Sequence, residues 1–383
     1  MKIAHVTPYD LAIRGGVNAS VVELVRRQSA RGHDVTLIGG ASARRDLPNW
    51  LRLDAIVVSI PVNGSVAPLA IPTSGGPDSE LERLLLREAF DALVVHEPAL
   101  PLGMALLSVS KSANVGVFHA YSESIGNVAR VVGTFTPTFT LGWFSPWLTT
   151  LHRRVAVSTA AREFAATYLP GAYEVIPNGI DVPARIERAP DTATILFLGR
   201  PEPRKGLDVL LRAMPHVVRD APRARLVIAG DGTDAHWAPY RARASALGVA
   251  GATEFLGRVS EERKRELFAR ATAYTSPAIG GESQGVVLLE SMALGAPVVA
   301  SDIAGYRTVV TSGVDGLLVT REDPRTLADA LLRVVRDRDL ARRLSSTARA
   351  MVQRRYDWRV VVPQHLAVYE DAAHAIGPTE AIA

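Results

Sequence analysis

The sequence of 383 residues contains no cysteine and only four lysines, whereas it contains 39 arginines. Without cysteine the chain can form neither disulfide bonds nor thiolate metal sites, which favours a cytoplasmic location. Met1 and Lys2 lead directly into a short apolar strand, and the longer apolar core of a secretion signal is missing. We therefore expect no export.

A strong excess of either charge is also lacking. Residues 1–176 carry 15 lysines and arginines against 14 aspartates and glutamates, and the remaining residues carry 28 against 25. Nucleic-acid binding is usually accompanied by a strongly basic surface, and neither half has that balance. We therefore expect no nucleic acid among the partners.

Charged residues are absent over residues 131–151, a stretch long enough to span a membrane. Six threonines, two prolines and two glycines within it argue against a membrane span. Phe135, Phe139, Trp143 and Trp147 recur in it at helical spacing. Two interpretations stay open: the rings pack inside the protein, or they form an apolar face for an acceptor or a membrane surface.

The order of apolar runs predicts the fold. A chain of this length, with 48% apolar residues, exceeds the size of a single core, so two domains are expected. Short runs of Val, Ile and Leu alternate with helical segments, a pattern typical of parallel sheets buried on both faces. The predicted strands are Lys2–Val6, Val35–Ile38, Ala55–Ile60, Ala92–Val95, Val115–Phe118, Val155–Val157, Glu174–Ile176, Thr194–Leu198, Arg225–Ala229, Thr253–Phe255, Ala273–Thr275 and Val298–Ala300.

The segment Pro177–Pro183 interrupts this alternation, and charged, proline-containing sequence continues to Ala193. We predict an α/β protein with two Rossmann-like domains that face each other across a cleft, over residues 1–180 and 194–357. A last helix at about residues 358–375 is expected to pack back on the first domain.

Two cations follow the first predicted strand of the second domain. Gly199 and Arg200 end this strand, and Lys205 precedes the next helix. This is the carboxyl edge of the sheet, where open α/β folds bind ligands. Lysine offers phosphate a compact charge, and arginine offers it a bidentate fork. The alternative is that both are solvated loop cations.

Glu282 and Glu290 are separated by eight residues, or roughly 12 Å if the segment is helical. That distance suits a diphosphate with hydroxyl groups at each end. Between them, Ser283–Val286 is predicted to begin a helix, whose free N–H groups can bind phosphate. Gly15 and Gly16 precede a second predicted helix with the same property.

His119 and His96 each follow a predicted strand, so both imidazoles can face a cleft. His119 is the first candidate for an imidazole in the cleft and His96 is the competing one, with a structural role as the alternative for either. Metal chemistry is not expected. Asp337–Asp339 is the single Asp-x-Asp sequence and lies in an arginine-rich junction, and the histidines lack ligand spacing.

Together these residues resemble the retaining glycosyltransferases of family four, which have the GT-B fold, and they are most similar to bacterial phosphatidylinositol α-mannosyltransferases. The similarity spans nearly the whole chain. Its motifs are Gly15-Gly16-Val17, Pro61-Val62-Asn63-Gly64-Ser65-Val66-Ala67, His96-Glu97-Pro98, Phe118-His119, Ile176-Pro177-Asn178-Gly179, Gly199-Arg200, Lys205-Gly206 and the pair Glu282 and Glu290.

The resemblance implies a nucleotide-sugar donor, foremost GDP-mannose, with neither a cofactor nor a metal. His119 would lie beside the anomeric carbon, Arg200 and Lys205 would neutralise the diphosphate, and Glu282 would hold the transferred sugar. Glu290 would hold the ribose hydroxyls. The catalytic residues that the resemblance implies are His119, Arg200, Lys205 and Glu282. The implied donor site comprises Gly16, Arg200, Lys205, Arg258, Val259, Glu282, Ser283, Gln284, Gly285, Val286 and Glu290.

The acceptor implied by the resemblance is a lipid-linked or polyol hydroxyl bound by the first domain, with peripheral contact to the inner membrane face. The candidate acceptor residues are Tyr9, Asn63, Gly64, Ser65, Tyr121, Ser122, Trp143 and Trp147. Residues 77–82 are acidic where lipid-modifying relatives are basic, so a soluble acceptor stays open, as does a UDP-sugar donor. A non-catalytic nucleotide or glycan-binding protein is the second class. A dehydrogenase is disfavoured because no Gly-x-Gly-x-x-Gly follows the first strand.

Overall fold

The computed structural model describes residues 1–13, 15–43, 45–62, 65–73, 79–123, 145–185 and 187–376. The chain divides into two compact units, Met1–Gly179 with the chain from Trp358 onward, and Ile180–Asp357. The predicted boundary segment, residues 181–193, therefore groups with the second unit. None of the described helices is long and apolar enough to cross a membrane.

The first unit is built around a parallel sheet. Its strands are β1 (Lys2–Val6), β2 (Asp34–Gly39), β3 (Trp50–Arg52), β4 (Ala55–Val62), β5 (Ser65–Pro72), β6 (Ala92–His96), β7 (Ala113–Phe118), β8 (Arg153–Ala156) and β9 (Glu174–Val175). Seven of them pair in parallel in the order β3-β2-β1-β6-β7-β8-β9. Every residue of β6 and β7 is buried, as the continuous apolar runs predict.

Five described helices accompany these strands before the chain enters the second unit. They are α1 (Gly16–Ser29), α2 (Glu80–Glu88), α3 (Pro101–Leu107), α4 (Ser145–Leu148) and α5 (Thr159–Ala166). The observed start of α1, at Gly16, lies one residue before the predicted one. Ser79 and Ser158 are the N-caps of α2 and α5, and their hydroxyls each accept a hydrogen bond from a backbone N–H of the first turn.

The prediction for Ala55–Ile60 was wrong in its pairing. This segment is part of β4, which pairs antiparallel with β5 in a separate two-stranded sheet and not with the parallel sheet. Val62 pairs with Ser65, and the sequence between these two residues is Asn63-Gly64, a dipeptide typical of two-residue hairpin connections. The hairpin signal was present in the sequence, but β5 was not predicted.

The second unit contains a six-stranded parallel sheet. Its strands are β10 (Thr194–Leu198), β11 (Arg225–Ala229), β12 (Thr253–Gly257), β13 (Ala273–Ser276), β14 (Val298–Ser301) and β15 (Leu317–Val319). They pair in the order β12-β11-β10-β13-β14-β15. In both sheets the first strand of the unit lies in the interior of the sheet. The second and third strands follow on one side of it and the later strands on the other, which is the Rossmann order.

Helices surround this second sheet. They are α6 (Leu207–Asp220), α7 (Asp234–Ala246), α8 (Glu261–Arg270), α9 (Val286–Ala293), α10 (Ala304–Arg307), α11 (Pro324–Arg336) and α12 (Arg338–Arg355). Two hydrophobic clusters fill the space between these helices and the sheet, around Phe197 and Leu331 and around Phe268 and Leu289. Because helices cover both faces of this sheet, the sheet is rigid and holds the loops at its carboxyl edge in place.

The last described helix, α13 (Trp358–Ile376), packs in the first unit against α1 and β7. Trp358, Val361 and Tyr369 are buried in the same hydrophobic cluster as Ile3 and Val115. The first unit is therefore completed by a segment from the far end of the chain.

Candidate functional site

The start of α1 leaves its backbone N–H groups uncapped. Gly15 is the N-cap in an extended conformation, the first turn contains no acidic residue, and no side chain caps it. A Cβ atom at Gly15 or Gly16 would meet no protein atom within 4 Å, so packing does not require these glycines. Asn18 fixes the preceding loop by donating to the carbonyl oxygens of Asp10 (2.9 Å) and Ile13 (3.1 Å). This geometry suits an anion that approaches the backbone closely.

The candidate catalytic residue, His119, lies at the end of a chain of buried imidazoles. His119 Nε2 lies 2.8 Å from His96 Nδ1, and His96 Nε2 lies 3.0 Å from His5 Nδ1. His5 Nε2 lies 2.8 Å from the side-chain oxygen of Gln28 on α1. The chain forms because β1, β6 and β7 are neighbours in the sheet. His96 and His119, which the sequence offered as alternative candidates, are thus hydrogen-bonded to each other.

These imidazoles are held neutral by their environment. Burial lowers the pKa of His119 to about 3 and that of His5 to about 4, although the hydrogen bond to Gln28 opposes the shift at His5. Burial, followed by the neighbouring His119, lowers the pKa of His96 well below its ordinary value. A buried imidazolium would lose its hydration without a compensating anion, so all three rings are neutral at physiological pH.

Glu97 fixes the backbone that carries His119. Its Oε1 accepts the backbone N–H of His119 (2.7 Å) and of Ala120 (2.6 Å). Glu97 has a φ of 54°, in the left-handed region that non-glycine residues rarely adopt. Burial raises the pKa of this carboxyl to about 7, although the two N–H bonds oppose the shift. Glu97 belongs to the motif His96-Glu97-Pro98, but the sequence alone indicated no role for it.

The predicted acceptor residues are only partly described. Asn63, Gly64 and Trp143 lie outside the described residues, and Ser65 begins β5. Tyr9 is half-buried, and burial together with Glu97 raises its pKa well above the ordinary value. The structure therefore describes this candidate group only in part.

Three other predicted acceptor residues are described. The ring of Tyr121 meets that of Phe164 edge-on at 6.4 Å, and Ser122 is buried. Trp147 on α4 is half-buried against a hydrophobic cluster of the first unit. For Trp147, packing is therefore at least part of its role.

In the second unit Glu282, which is predicted to hold the sugar, contacts Lys205, which is predicted to bind the diphosphate. Lys205 Nζ lies 2.5 Å from Glu282 Oε1, and Arg204 Nη1 lies 2.6 Å from the same oxygen. Glu202 links this group to Arg200, with Nη1 of Arg200 at 2.8 Å and Nε of Arg204 at 2.9 Å. Burial by itself would raise the pKa of Glu282, but Lys205 and Arg204 outweigh it and hold that pKa below its ordinary value.

The turn that carries Lys205 depends on a glycine. Gly206 has a φ of 71°, and a Cβ atom there would lie 1.8 Å from the carbonyl oxygen of Pro277. No other residue fits this approach, so the turn after β10 is pressed against the chain that leaves β13. Arg204, which sequence reasoning missed, shares this turn with Lys205.

The predicted helix start at Ser283–Val286 needs correction. Helix α9 begins only at Val286, and its N-cap, Gly285, is left-handed with a φ of 77°. Gly281 is also left-handed, with a φ of 70°, so the chain around Glu282 is a loop. The fully helical separation of roughly 12 Å between Glu282 and Glu290 therefore does not apply.

Glu290 lies on α9 and pairs with Lys264 of α8. Lys264 Nζ lies 2.8 Å from Glu290 Oε1 and 2.7 Å from Glu261 Oε2. Burial raises the pKa of Glu290, and Lys264 opposes the shift. Sequence reasoning missed Lys264 because its partner is 26 positions away.

The remaining donor candidates lie after β12 and before α9. Arg258 is exposed, and Val259 is half-buried beside a hydrophobic cluster of the second unit. Gln284 is buried, and Ser283 is half-buried. Within the described residues no group of three or more His, Asp or Glu side chains is arranged to hold a metal ion. Metal independence itself stays a prediction.

Comparison with known proteins covers nearly the whole chain. A family model described as Glycosyltransferase Family 4 matches residues 14–183, and one described as Glycosyl transferases group 1 matches residues 181–351. The phosphatidyl-myo-inositol mannosyltransferase of Mycobacterium leprae is 37% identical over 382 residues, which cover 97% of each chain.

Two further comparisons extend this result. A D-inositol 3-phosphate glycosyltransferase of Acidothermus cellulolyticus is 29% identical over 432 residues, covering 97% of this chain and 90% of the relative. The crystal structure of Anabaena HepE in complex with UDP and glucose superposes with a TM-score of 0.73 at 17% identity, covering 97% of this chain and all of the other. At that identity the superposition shows the fold alone.

Proposed function

This chain belongs to the glycosyltransferases of family 4 and has their GT-B type of fold, and we propose that it transfers mannose from a nucleotide donor to a hydroxyl of a phosphatidylinositol lipid. The observation that carries the choice of substrate is the 37% identity to a phosphatidyl-myo-inositol mannosyltransferase over 97% of both chains. The chain is thus a glycosyltransferase, and mannose and the lipid are our proposal.

The contacts of Glu282 support a donor site in the second unit. A nucleotide sugar joins a neutral, hydroxyl-rich ring to a diphosphate, so it needs a carboxylate and cations side by side. Lys205 and Arg204 touch Glu282, and Arg200 is joined to them through Glu202. We propose that Glu282 accepts hydroxyl groups of the sugar and that Lys205 and Arg200 bind the diphosphate.

The reaction breaks the bond between the anomeric carbon and a phosphate oxygen. Negative charge then accumulates on the diphosphate, and preorganised cations bind it more strongly in the transition state than in the ground state. We propose that the acceptor hydroxyl attacks the anomeric carbon from the face that the diphosphate leaves. Its proton passes to the departing phosphate oxygen, and the configuration at the anomeric carbon is retained.

GDP-mannose is the donor that we propose, with no metal ion in the reaction. A UDP-sugar with a soluble acceptor is the second candidate. The 29% identity to a D-inositol 3-phosphate glycosyltransferase favours an inositol phosphate as that acceptor. Both candidates share an inositol ring with a phosphate, so the acceptor experiment must vary the lipid tail and the donor base independently.

The experiment combines the purified chain with GDP-mannose or UDP-glucose and with phosphatidylinositol vesicles or soluble inositol phosphate. Mass spectrometry of the products is the measurement. We expect one hexose on the lipid with GDP-mannose, and little product with Lys205→Ala. A product only from UDP-glucose and inositol phosphate would replace our proposal by the second candidate. Donor binding without transfer or hydrolysis in any combination would favour a non-catalytic binding protein.

A lipid acceptor requires contact with the membrane surface, and we propose that this contact is peripheral. Residues 1–176 have a net charge of only +1 by the composition of the sequence, so an electrostatic anchor is weak. Vesicle flotation should therefore change little with added salt, whereas a polybasic anchor weakens as the Debye length shortens. Complete release by moderate salt would contradict an apolar contact.

A further inference from the structure

The polarity of the histidine chain is set by its far end. The side-chain oxygen of Gln28 can only accept a hydrogen bond, so His5 Nε2, at 2.8 Å, carries the hydrogen. A neutral imidazole has a single N–H, which leaves His5 Nδ1 as an acceptor. The hydrogen at the next contact, 3.0 Å long, therefore belongs to His96 Nε2.

The same reasoning reaches His119. Because His96 Nε2 carries a hydrogen, His96 Nδ1 is an acceptor, and the hydrogen of the 2.8 Å contact belongs to His119 Nε2. The remaining nitrogen, His119 Nδ1, then has only a lone pair. This nitrogen is buried and has no hydrogen-bond partner among the described residues.

A small cavity adjoins this group. It has a volume of about 10 Å³ and is lined by His96, His119, His365 and Asn178, among others. That volume is about the size needed for one water molecule. An O–H group is thus the natural partner for His119 Nδ1, either directly or through one water.

We propose that Gln28, His5 and His96 are positioning residues that hold His119 as its Nε2–H tautomer, so that Nδ1 accepts a hydrogen bond from a hydroxyl of the transferred sugar. The identity of that hydroxyl group as part of a sugar rests on the function proposed above. The tautomer itself follows from the orientation of the Gln28 amide, whose oxygen faces His5 Nε2, and from the contacts between the three imidazoles.

This arrangement has a chemical purpose. Positive charge develops on the sugar ring as the bond to the leaving group breaks. A neutral imidazole that accepts from a sugar hydroxyl increases the electron density on that oxygen and stabilises the charge. An imidazolium at the same place would donate a hydrogen bond and repel the developing charge, so it would slow the reaction.

The direct test is the nitrogen NMR spectrum of the full chain, labelled with ¹⁵N in the histidine rings. His119→Gln identifies the His119 signals by their loss. We expect the signals of a neutral Nε2–H tautomer at neutral pH, unchanged when the pH is lowered to about 5. An Nδ1–H tautomer or an imidazolium at neutral pH would overturn the proposal, and this measurement needs neither substrate nor a stable variant.

Two variants test the positioning role. His5→Leu and His96→Leu each interrupt the chain without replacing His119. We expect a mixture of His119 tautomers in both, and a fall of at least about tenfold in kcat with a smaller change in the KM for the donor. A tautomer mixture in His5→Leu with unchanged kcat would refute the role of the tautomer in transfer.

His365→Leu is the matched control. His365 is also buried and lines the same cavity, but its Nδ1 contacts the hydroxyl of Tyr369 at 3.2 Å and it is not part of the chain. The His119 tautomer should be unchanged in this variant. If the expected tautomer is present but no mannose is transferred to any acceptor, the proposed function fails and the histidine chain stands.

Discussion

Lys205 Nζ touches Glu282 Oε1 at 2.5 Å, although 77 positions separate the two residues in the sequence. The contact places a group suited to phosphate beside a group suited to sugar hydroxyls. Arg204 shares the same carboxylate oxygen. In a glycosyl diphosphate the sugar is bonded directly to the phosphate. A carboxylate for the sugar beside a cation for the phosphate therefore matches the order of groups in such a donor.

Lys205→Ala and Arg200→Ala should each lower kcat by about 100-fold or more, since each removes a cation that serves the departing diphosphate. The melting temperature should change much less. Arg219→Ala is a suitable control because Arg219 pairs with Asp220 on the exposed surface of α6. Near-normal turnover in both Lys205→Ala and Arg200→Ala would refute the assignment.

Glu97→Gln should change how the free energy of unfolding depends on pH. The pKa of Glu97 is raised from 4.5 to about 7 by burial, so its stabilising effect is complete below pH 4.5 and is lost as the pH rises to about 7. Glutamine can still accept both N–H groups and does not ionise. The wild type should therefore lose up to about 3 kcal/mol relative to the variant across this interval.

Denaturant titrations at several pH values between 4 and 8 would measure this difference. Glu163→Gln is the control, because Glu163 is exposed on α5. Parallel curves for the wild type and Glu97→Gln would show that Glu97 ionises normally in the folded protein. A loss for the wild type at low pH would contradict the sign of the shift.

Activity should survive an excess of chelator at neutral pH. Arginine and lysine side chains can neutralise the leaving diphosphate in place of a divalent cation, and Asp337–Asp339 is the single Asp-x-Asp sequence of the chain. Initial rates with and without EDTA are the measurement. Loss of activity in EDTA, with rescue by Mg²⁺ or Mn²⁺, would overturn this prediction.

Trp143→Ser should impair transfer to the acceptor and leave donor binding intact, if the aromatic residues of segment 131–151 form an apolar acceptor wall. Trp147→Ser should instead lower the melting temperature, because Trp147 packs against a hydrophobic cluster. Acceptor KM, donor affinity and melting temperature separate the two effects. Unchanged transfer by Trp143→Ser would place the acceptor elsewhere.

The sequence predicted the fold well because buried parallel strands are continuous apolar runs, which can be recognised locally. It failed at the hairpin of β4 and β5, where the same composition pairs antiparallel. The sequence signal that separates the hairpin from the parallel strands is the Asn63-Gly64 dipeptide. Its preference for a hairpin turn can be recognised locally, as an apolar run can.

The candidate site was harder to predict, because its partners meet only in the folded chain. His96 and His119 were recognisable at strand ends, but His5 lies inside β1, where a buried histidine has no distinctive sequence pattern. Lys264 was hidden in the charged sequence of α8. Arg204 is not distinctive in the sequence because it is one of 39 arginines, whereas Lys205 is one of only four lysines. Pairing over long sequence separations cannot be read from spacing.

The return of α13 to the first unit sets the order in which the protein can be completed during synthesis. Ile180–Asp357 is continuous and can fold as soon as it leaves the ribosome. The first unit must wait, because Val361, Tyr369 and Ala372 belong to the same core as Ile3. Until they emerge, strands made hundreds of residues earlier keep apolar surface exposed, and exposed apolar surface favours aggregation of the nascent first unit.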